Sequence, residues 1–450
     1  MSPRPGEAEG LRRLLGLALR GGALSAGGNA LMLGLGVLNL SLLGHGLGLR
    51  LFGLLAAARI LARILNNLVG CRCFEVTQAF LLRLRQAGEE DAARGLLLFG
   101  WAVEGASVLG TAGLAALAAA VWPSLLPASG LLPVAVLIAA AEACNNLSVQ
   151  SQAVLRIERR YGRAVLQQLL GPLGRTLAYA TALLLLDGGL LEVALAEAVA
   201  MAAAALAGPL VLVPGGRTVR LGDLRALLRR HGPALRATLA ATWSSGCLKA
   251  SRAYAPGALL LLLGPGAEAL ALFEVATRLA GYLGATGQPL IQVQTPEIHR
   301  LVAAGRDRLL RRYLLATSAG IALAMGGAWA LFALLEGPVL RLLAGEDFLA
   351  ASPAIHLCMA GVLCTHVFFW MRGLLLARGL NRPLFLAELT TALAGVLTGL
   401  LAIPAAGATG AALASAVLGP AFLLTAGLAL AGARRRTALR PDPAPAGGGS

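Results

Sequence analysis

The sequence predicts an all-α, polytopic membrane protein of about twelve transmembrane helices in two six-helix lobes related by a pseudo-two-fold along the membrane normal. Three observations carry that prediction. The composition is 57% hydrophobic and 13% charged over 450 residues, whereas a soluble domain carries about a quarter charged residues. Apolar runs of the ~20 residues needed to cross a bilayer recur along the whole chain. The order of parts in the first half also returns in the second.

The apolar segments fall near 21–43, 47–69, 95–121, 131–154, 164–186, 190–213, 234–263, 268–292, 313–335, 353–377, 383–403 and 408–431. The stretch Leu262–Arg312 shows the pattern best. It holds a Gly-Pro-Gly turn, an apolar helix with Glu274 and Arg278 at its middle, a Gln-Pro break and a basic amphipathic segment ending in Arg311-Arg312. An apolar segment with a charge at its centre is a functional site by default.

The net charge of +16 is almost entirely arginine, with Lys249 the sole lysine. In a soluble protein such an excess points to nucleic acid. Here it sorts by connection. Arg residues fill the N-terminal segment and the connections around 72–94, 156–163, 217–230, 300–312 and 378–382, as well as the tail at 434–440. The intervening connections hold only Arg50 and Arg341. Basic residues collect on the cytoplasmic side of membrane proteins, so both termini are expected in the cytoplasm, and the high Ala, Leu, Gly and Arg content suggests a bacterial source. The outer turns are expected at Leu43–Gly46, Trp122–Gly130, Asp187–Gly189, Gly264–Gly266, Pro404–Gly407 and the longer Glu336–Ser352. None leaves room for a catalytic domain outside, and no enzyme is expected.

The basic N-terminus has an apolar region interrupted by Arg20, and so reads as a lead-in to the first span rather than a cleaved signal. The cysteines, Cys71, Cys73, Cys144, Cys247, Cys358 and Cys364, lie in spans or beside basic loops. Cys71-Arg72-Cys73 lacks the partners of a zinc site, so neither a metal nor a cofactor is expected. The mixed-charge loop Arg83–Arg94 reads as solvated.

Leu42–Gly105 aligns with Leu262–Leu331: Leu43-Gly44 with Leu263-Gly264, Leu51-Phe52 with Leu272-Phe273, Arg59 with Arg278, and Arg83–Gly88 with Arg300–Gly305. The domain expectation is a lobe over 1–214, a basic linker over 215–232, a second lobe over 233–433 and a basic, then Pro/Gly-rich, tail over 434–450. Two copies of an even number of spans enter from the same side, the arrangement that puts a substrate path at the repeat interface.

With these segments in view, LLGPGAEALALFEVATRLAGYL…QTPEIHRLVAAGRDRLLRR resembles the eighth span and following loop of polysaccharide and lipid-linked oligosaccharide flippases of the multidrug/oligosaccharidyl-lipid/polysaccharide (MOP) exporter superfamily. IPAAGATGAALAS is similar to the family's last two spans and their turn. SLLGHGLGLRLFGLL is similar to its first outer turn, and VLRIERRYGRAVLQQLL to the segment after span four. The resemblance implies two lobes that rock about a central cavity and carry an undecaprenyl-diphosphate-linked glycan from the cytoplasmic to the outer leaflet. It also implies a monomer working beside glycan-assembly enzymes of polysaccharide or lipopolysaccharide synthesis.

A diphosphate in low dielectric is prohibitively costly unless cations meet it, and arginine stays charged and grips phosphate oxygens in pairs. Arg59 and Arg63 lie at i and i+4, on one face of span two. At 1.5 Å per residue Arg59 sits about 18 Å from Leu47, near the midplane. Lys249 and Arg252 share a face of span seven, and Arg278 is central in span eight. These five form the candidate diphosphate site. Arg278 can instead be read as a structural pair with Glu274 one turn earlier, and Arg63 as reaching toward the cytoplasmic interface. Arg175 and Arg372 are weaker candidates. Of the intramembrane acids Glu104, Glu142, Glu192, Glu197, Glu274 and Glu388, we take Glu142, Glu274 and Glu388 as coupling or charge-balancing groups. His366 is either a proton carrier or a packing residue. The competing function is a multidrug or cation antiporter of the same superfamily, which needs acids exposed in the cavity; excess arginine there repels cations.

Overall fold

The computed structural model describes the backbone of residues 5–121, 131–158, 160–212 and 220–438. Some helical side chains, Lys249 among them, lie outside the described residues, as does the turn expected at Trp122–Gly130. The described regular structure is helical throughout. The first lobe contains α1 (Pro5–Val69), α2 (Cys73–Gln86), α3 (Glu90–Val121), α4 (Leu132–Ile157), α5 (Tyr161–Ala180, extended by a π-helical turn at Thr181–Leu185) and α6 (Leu190–Leu212). The second contains α7 (Leu221–Leu263), α8 (Ala267–Ala303), α9 (Asp307–Leu343), a 3₁₀ turn at Glu346–Ala351, α10 (Ser352–Val367), α11 (Trp370–Ala377) and α12 (Asn381–Ala438). Counted as spans, α1 and α12 cross twice, because each turns back at a glycine with positive φ (Gly48, 68°; Gly407, 51°). α10 and α11 form one broken span. The described residues therefore build twelve crossings in two lobes, as predicted.

The first turn comes later than expected. Leu43–Gly46 is helical, and the chain turns at Gly48. Gly44 and Gly46 serve packing instead: a Cβ on Gly44 would lie 2.8 Å from Ala344 Cα, and one on Gly46 would lie 2.7 Å from Leu183 Cδ1. In sequence, turn glycines and close-approach glycines look alike. The break expected at Gln288-Pro289 is likewise missing, and α8 runs through it. The connection expected over 336–352 is mostly helix, since α9 extends to Leu343. α7 starts at Leu221, so residues 221–232 of the expected linker are helical and continuous with the span.

The lobes meet along α1 and α8. The buried cluster at this seam includes the small residues Ala56, Ala57, Ala58 and Ala62 on α1 and Ala271 and Ala276 on α8, and small residues let helices approach closely in a bilayer. At the end of the bundle carrying the Gly48 turn, Phe52 meets Phe348 edge-on at 5.6 Å. Away from the seams, leucines such as Leu109, Leu323, Leu334 and Leu401 are largely exposed. An apolar belt of that kind would drive a soluble protein to aggregate, but it suits a hydrocarbon surround.

The opposite, arginine-rich end is tied differently from the prediction. The turn between α2 and α3 is not simply solvated. Arg94 Nε lies 3.3 Å from Asp223 Oδ2 on α7, His231 Nε2 lies 3.0 Å from Glu89 Oε2, and Arg230 reaches the same oxygen at 3.4 Å. Leu84, Ala92, Leu96, Leu227 and Leu235 form an apolar cluster beneath these pairs. The His231 and Arg230 contacts hold the Glu89 carboxyl below the usual carboxylate range. At the start of α7, the Arg220 backbone N–H and Arg94 do the same for Asp223.

Candidate functional site

Seven stretches of the described helices are long and apolar enough to cross a membrane by composition alone; α5, α7 and α8 are not among them. Those three carry Arg175, Arg252 and the Glu274/Arg278 pair, and they supply walls of the two charged cavities.

The first cavity, about 230 Å3, lies where α1, α4 and α5 of one lobe face α8 of the other. Its wall includes Asn39, Arg59, Arg63, Glu142, Arg175, Tyr179, Arg278 and Tyr282. Arg59, 2% exposed, is held inside the first lobe. Its Nη2 donates to Tyr179 Oη at 2.6 Å and to Glu197 Oε2 at 2.7 Å, and the Tyr179 hydroxyl donates to the same carboxylate oxygen at 2.6 Å. Arg175 Nε lies 3.2 Å from the other Glu197 oxygen. Arg59 Nη1 has no hydrogen-bond partner among the described residues.

One turn along α1, Arg63 spans the lobe interface. Its two terminal nitrogens donate to both oxygens of Glu274 on α8 at 3.3 and 3.4 Å, and its Nε lies 3.7 Å from Glu142. Arg278 closes the set, donating from Nε to Glu274 Oε1 at 2.9 Å and stacking 5.7 Å over the Phe52 ring. The pairing with Glu274 that the sequence allowed is therefore present, and Glu274 is shared between two arginines from opposite lobes. Four guanidiniums face three carboxylates, which leaves a net positive charge.

The candidate residues do not all converge. Arg59, Arg63, Arg278, Glu142 and Glu274 meet at this cavity, whereas Arg252 and Glu388 belong to a second one. That cavity, about 460 Å3, lies within the second lobe and is lined by Arg252, Thr277, His366, Arg372, Glu388 and Phe422 among others. Arg252 Nη1 donates to Glu388 Oε2 at 2.5 Å, and Arg372 Nη1 to Oε1 at 3.2 Å. Arg372 thus pairs inside the second lobe. Lys249 lies outside the described side chains. Glu104 accepts the Cys73 backbone N–H at 2.7 Å at the start of α2, and Glu192 accepts that of Gly189 at 2.8 Å. Both are local structural acids. Tyr179 is the residue sequence reasoning missed. It sits four positions after Arg175 on one helix face, and that spacing was the available signal.

No protein-family profile matches the sequence, and no curated relative matches it. Solved structures do. An inward-facing multidrug resistance MATE family transporter of the MOP superfamily is similar at TM-score 0.68 and 15% identity, over 90% of this chain and 94% of that one. The lipid II flippase MurJ, in an inward closed conformation, is similar at TM-score 0.67 and 11% identity, over 92% of this chain and 87% of that one. An outward-facing MATE family transporter of the same superfamily is similar at TM-score 0.57 and 12% identity, over 94% and 95%. At such identities the likeness shows the fold alone, and this chain is folded like those proteins.

Proposed function

We propose that the chain is a flippase that moves an undecaprenyl-diphosphate-linked oligosaccharide from the cytoplasmic to the outer leaflet of the bacterial inner membrane by alternating access. Residues 1–214 and 233–433 act as the rocking lobes, with both termini and the arginine-rich end cytoplasmic. The observation that supports it is the interface cavity. Four arginines from both lobes face three glutamates there, and Arg59 Nη1 is left with a free donor. An arriving diphosphate takes Arg63 and Arg278 from Glu274, because a dianion with paired oxygens grips two guanidiniums more strongly than one shared carboxylate does. The chemistry is charge compensation in transit, and no covalent step is involved.

The test is flipping of undecaprenyl-diphosphate glycan in reconstituted vesicles. Wild-type protein moves it, while Arg278→Ala and Arg63→Ala slow it by roughly tenfold or more, the factor expected from losing one charged hydrogen bond. Wild-type rates in both variants, or no wild-type activity with any diphosphate-linked glycan, overturn the reading.

A cation exporter is the second reading. It is favoured by Glu142, which lines the cavity with its side chain 16% exposed and its contact to Arg63 long at 3.7 Å. Drug efflux in a sensitised strain that is abolished by Glu142→Gln and kept with Arg278→Ala decides for it.

A further inference from the structure

The cavity inside the second lobe has no part in the interface site. α8 forms the wall between them: Thr277 faces one cavity and its neighbour Arg278 the other. We propose that this second cavity binds the headgroup phosphate of a net-anionic phospholipid between Arg252 and Arg372, with an acyl chain lying along Leu418, Phe422 and Leu423.

Charge decides the sign of the ligand. Among the described lining residues Glu388 is the only carboxylate, and two guanidiniums lie on it. A metal cation has no vacant carboxylate to bind there and is repelled by the excess arginine. Glu388 is 7% exposed at its side chain, while Arg252 and Arg372 are 26% and 36% exposed. The carboxylate is buried and the arginines present donors to the cavity. Each guanidinium carries five N–H groups, so one bond each to Glu388 leaves donors for a second anion. A phosphate offers paired oxygens much as a carboxylate does, so Glu388 competes with it for the same two guanidiniums.

Geometry decides the rest of the ligand. Phe422 lies 5.9 Å beneath the Arg252 guanidinium, and the other walls are mainly apolar, with Val362, Phe368 and Phe369 adding to the α12 residues. The helix breaks between α10 and α11 at Phe368–Phe369, and Phe368 is 39% exposed there. A soluble phosphate gains nothing from such walls, whereas an acyl chain does. Arg372 stands about 9 Å from the Arg378 end of its span at 1.5 Å per residue, close enough to the interface for a headgroup to remain near its leaflet.

The proposal does not depend on what the interface cavity carries. It is tested by native mass spectrometry of the purified full chain. The protein is offered equimolar phosphatidylglycerol and phosphatidylcholine of the same acyl chains, with inorganic phosphate in a separate arm. Phosphatidylglycerol is expected to be retained roughly tenfold better. Arg372→Gln brings the two lipids to parity. Glu388→Gln, which keeps the shape and removes the competitor, raises phosphatidylglycerol retention. That opposite sign is one a purely structural ion pair would not produce. Equal retention of both lipids by wild-type protein overturns the proposal, as does a preference that survives both Arg372→Gln and Arg252→Gln. Displacement by inorganic phosphate at the lipid's own concentration assigns the site to a soluble anion and also overturns it. If Arg63→Gln, and not Arg372→Gln, removes the preference, the lipid sits in the interface cavity and the assignment fails.

Discussion

Arg59 and Arg63 stand one turn apart on the same helix, and the fold uses them in opposite ways. Arg59 points into its own lobe, 2% exposed, and is fixed by Glu197 and Tyr179 at hydrogen-bond distances of 2.6–2.7 Å. Arg63 points across the lobe boundary, its side chain 29% exposed, to Glu274 at 3.3 and 3.4 Å, with Glu142 of its own lobe 3.7 Å from its Nε. If the lobes rock as proposed, short contacts within one lobe stay fixed and the longer Arg63–Glu274 contact across the boundary changes. On that reading Arg59 shapes the cavity and sets its potential, and Arg63 is the group whose partner is exchanged. Charge in a membrane interior marks a functional region, but within that region burial and lobe membership separate the scaffold from the moving part.

The comparison breaks most sharply at Arg59. Arg59→Leu leaves Glu197 with Arg175 as its remaining cationic partner in a dry site, and removing one member of a buried pair costs about 3–5 kcal/mol. Thermal unfolding of the purified protein should show that loss, and unchanged stability would mean the pair is solvated. Gly53→Val comes next. A Cβ at Gly53 would lie 1.9 Å from the Ala267 carbonyl oxygen on the other lobe, so the lobes must part at that end. Spin-label distances between α1 and α8 should widen there, with the Arg59–Glu197 pair intact and the Arg63–Glu274 pair broken. If the distances stay fixed, the seam is softer than its packing implies.

Arg63→Gln sharpens the contrast, because it should slow transport by roughly tenfold while destabilising the protein less than Arg59→Leu does, since Arg63 is itself partly exposed and Glu274 keeps Arg278. Equal effects of Arg59→Leu and Arg63→Gln on unfolding would erase the distinction.

The smallest effect belongs to the polar clasp at the arginine-rich end. Glu89 has its carboxyl pKa lowered by His231 and Arg230. Its stabilising contribution is therefore present above the ordinary carboxylate range and is lost as pH falls through the depressed value. A fluorescence pair across the α2–α3 turn and α7 should report a constant distance near neutrality and separation only in acid. Separation beginning near neutral pH would show that the carboxylate does not hold the clasp.

Much of the architecture was legible because a bilayer leaves few choices. Backbone groups must be satisfied within each segment, so apolar runs between arginine-rich connections could only be helices, and the repeat could only pair lobes. The candidate residues were legible for a related reason: a charge at the centre of an apolar run is too costly to be accidental. Their partners were not. Arg59 meets Glu197 across 138 positions, Arg63 meets Glu274 across 211, and Arg252 meets Glu388 across 136. No local spacing encodes such pairs. The Arg278–Glu274 pair is legible because it is an i, i+4 contact on a single helix.

The sequence by itself determined which residues are charged within the apolar segments, that about twelve such segments recur, and that the two halves are similar. Hydropathy and periodicity act locally along the chain, so a linear reading suffices for these. Only the tertiary structure decided that the arginines divide between two cavities, that Glu274 is shared across the lobe boundary while Glu197 is not, and that Gly44 and Gly46 are close approaches rather than turns. Those outcomes depend on which helix faces oppose one another, and that is settled by packing between segments far apart in the chain.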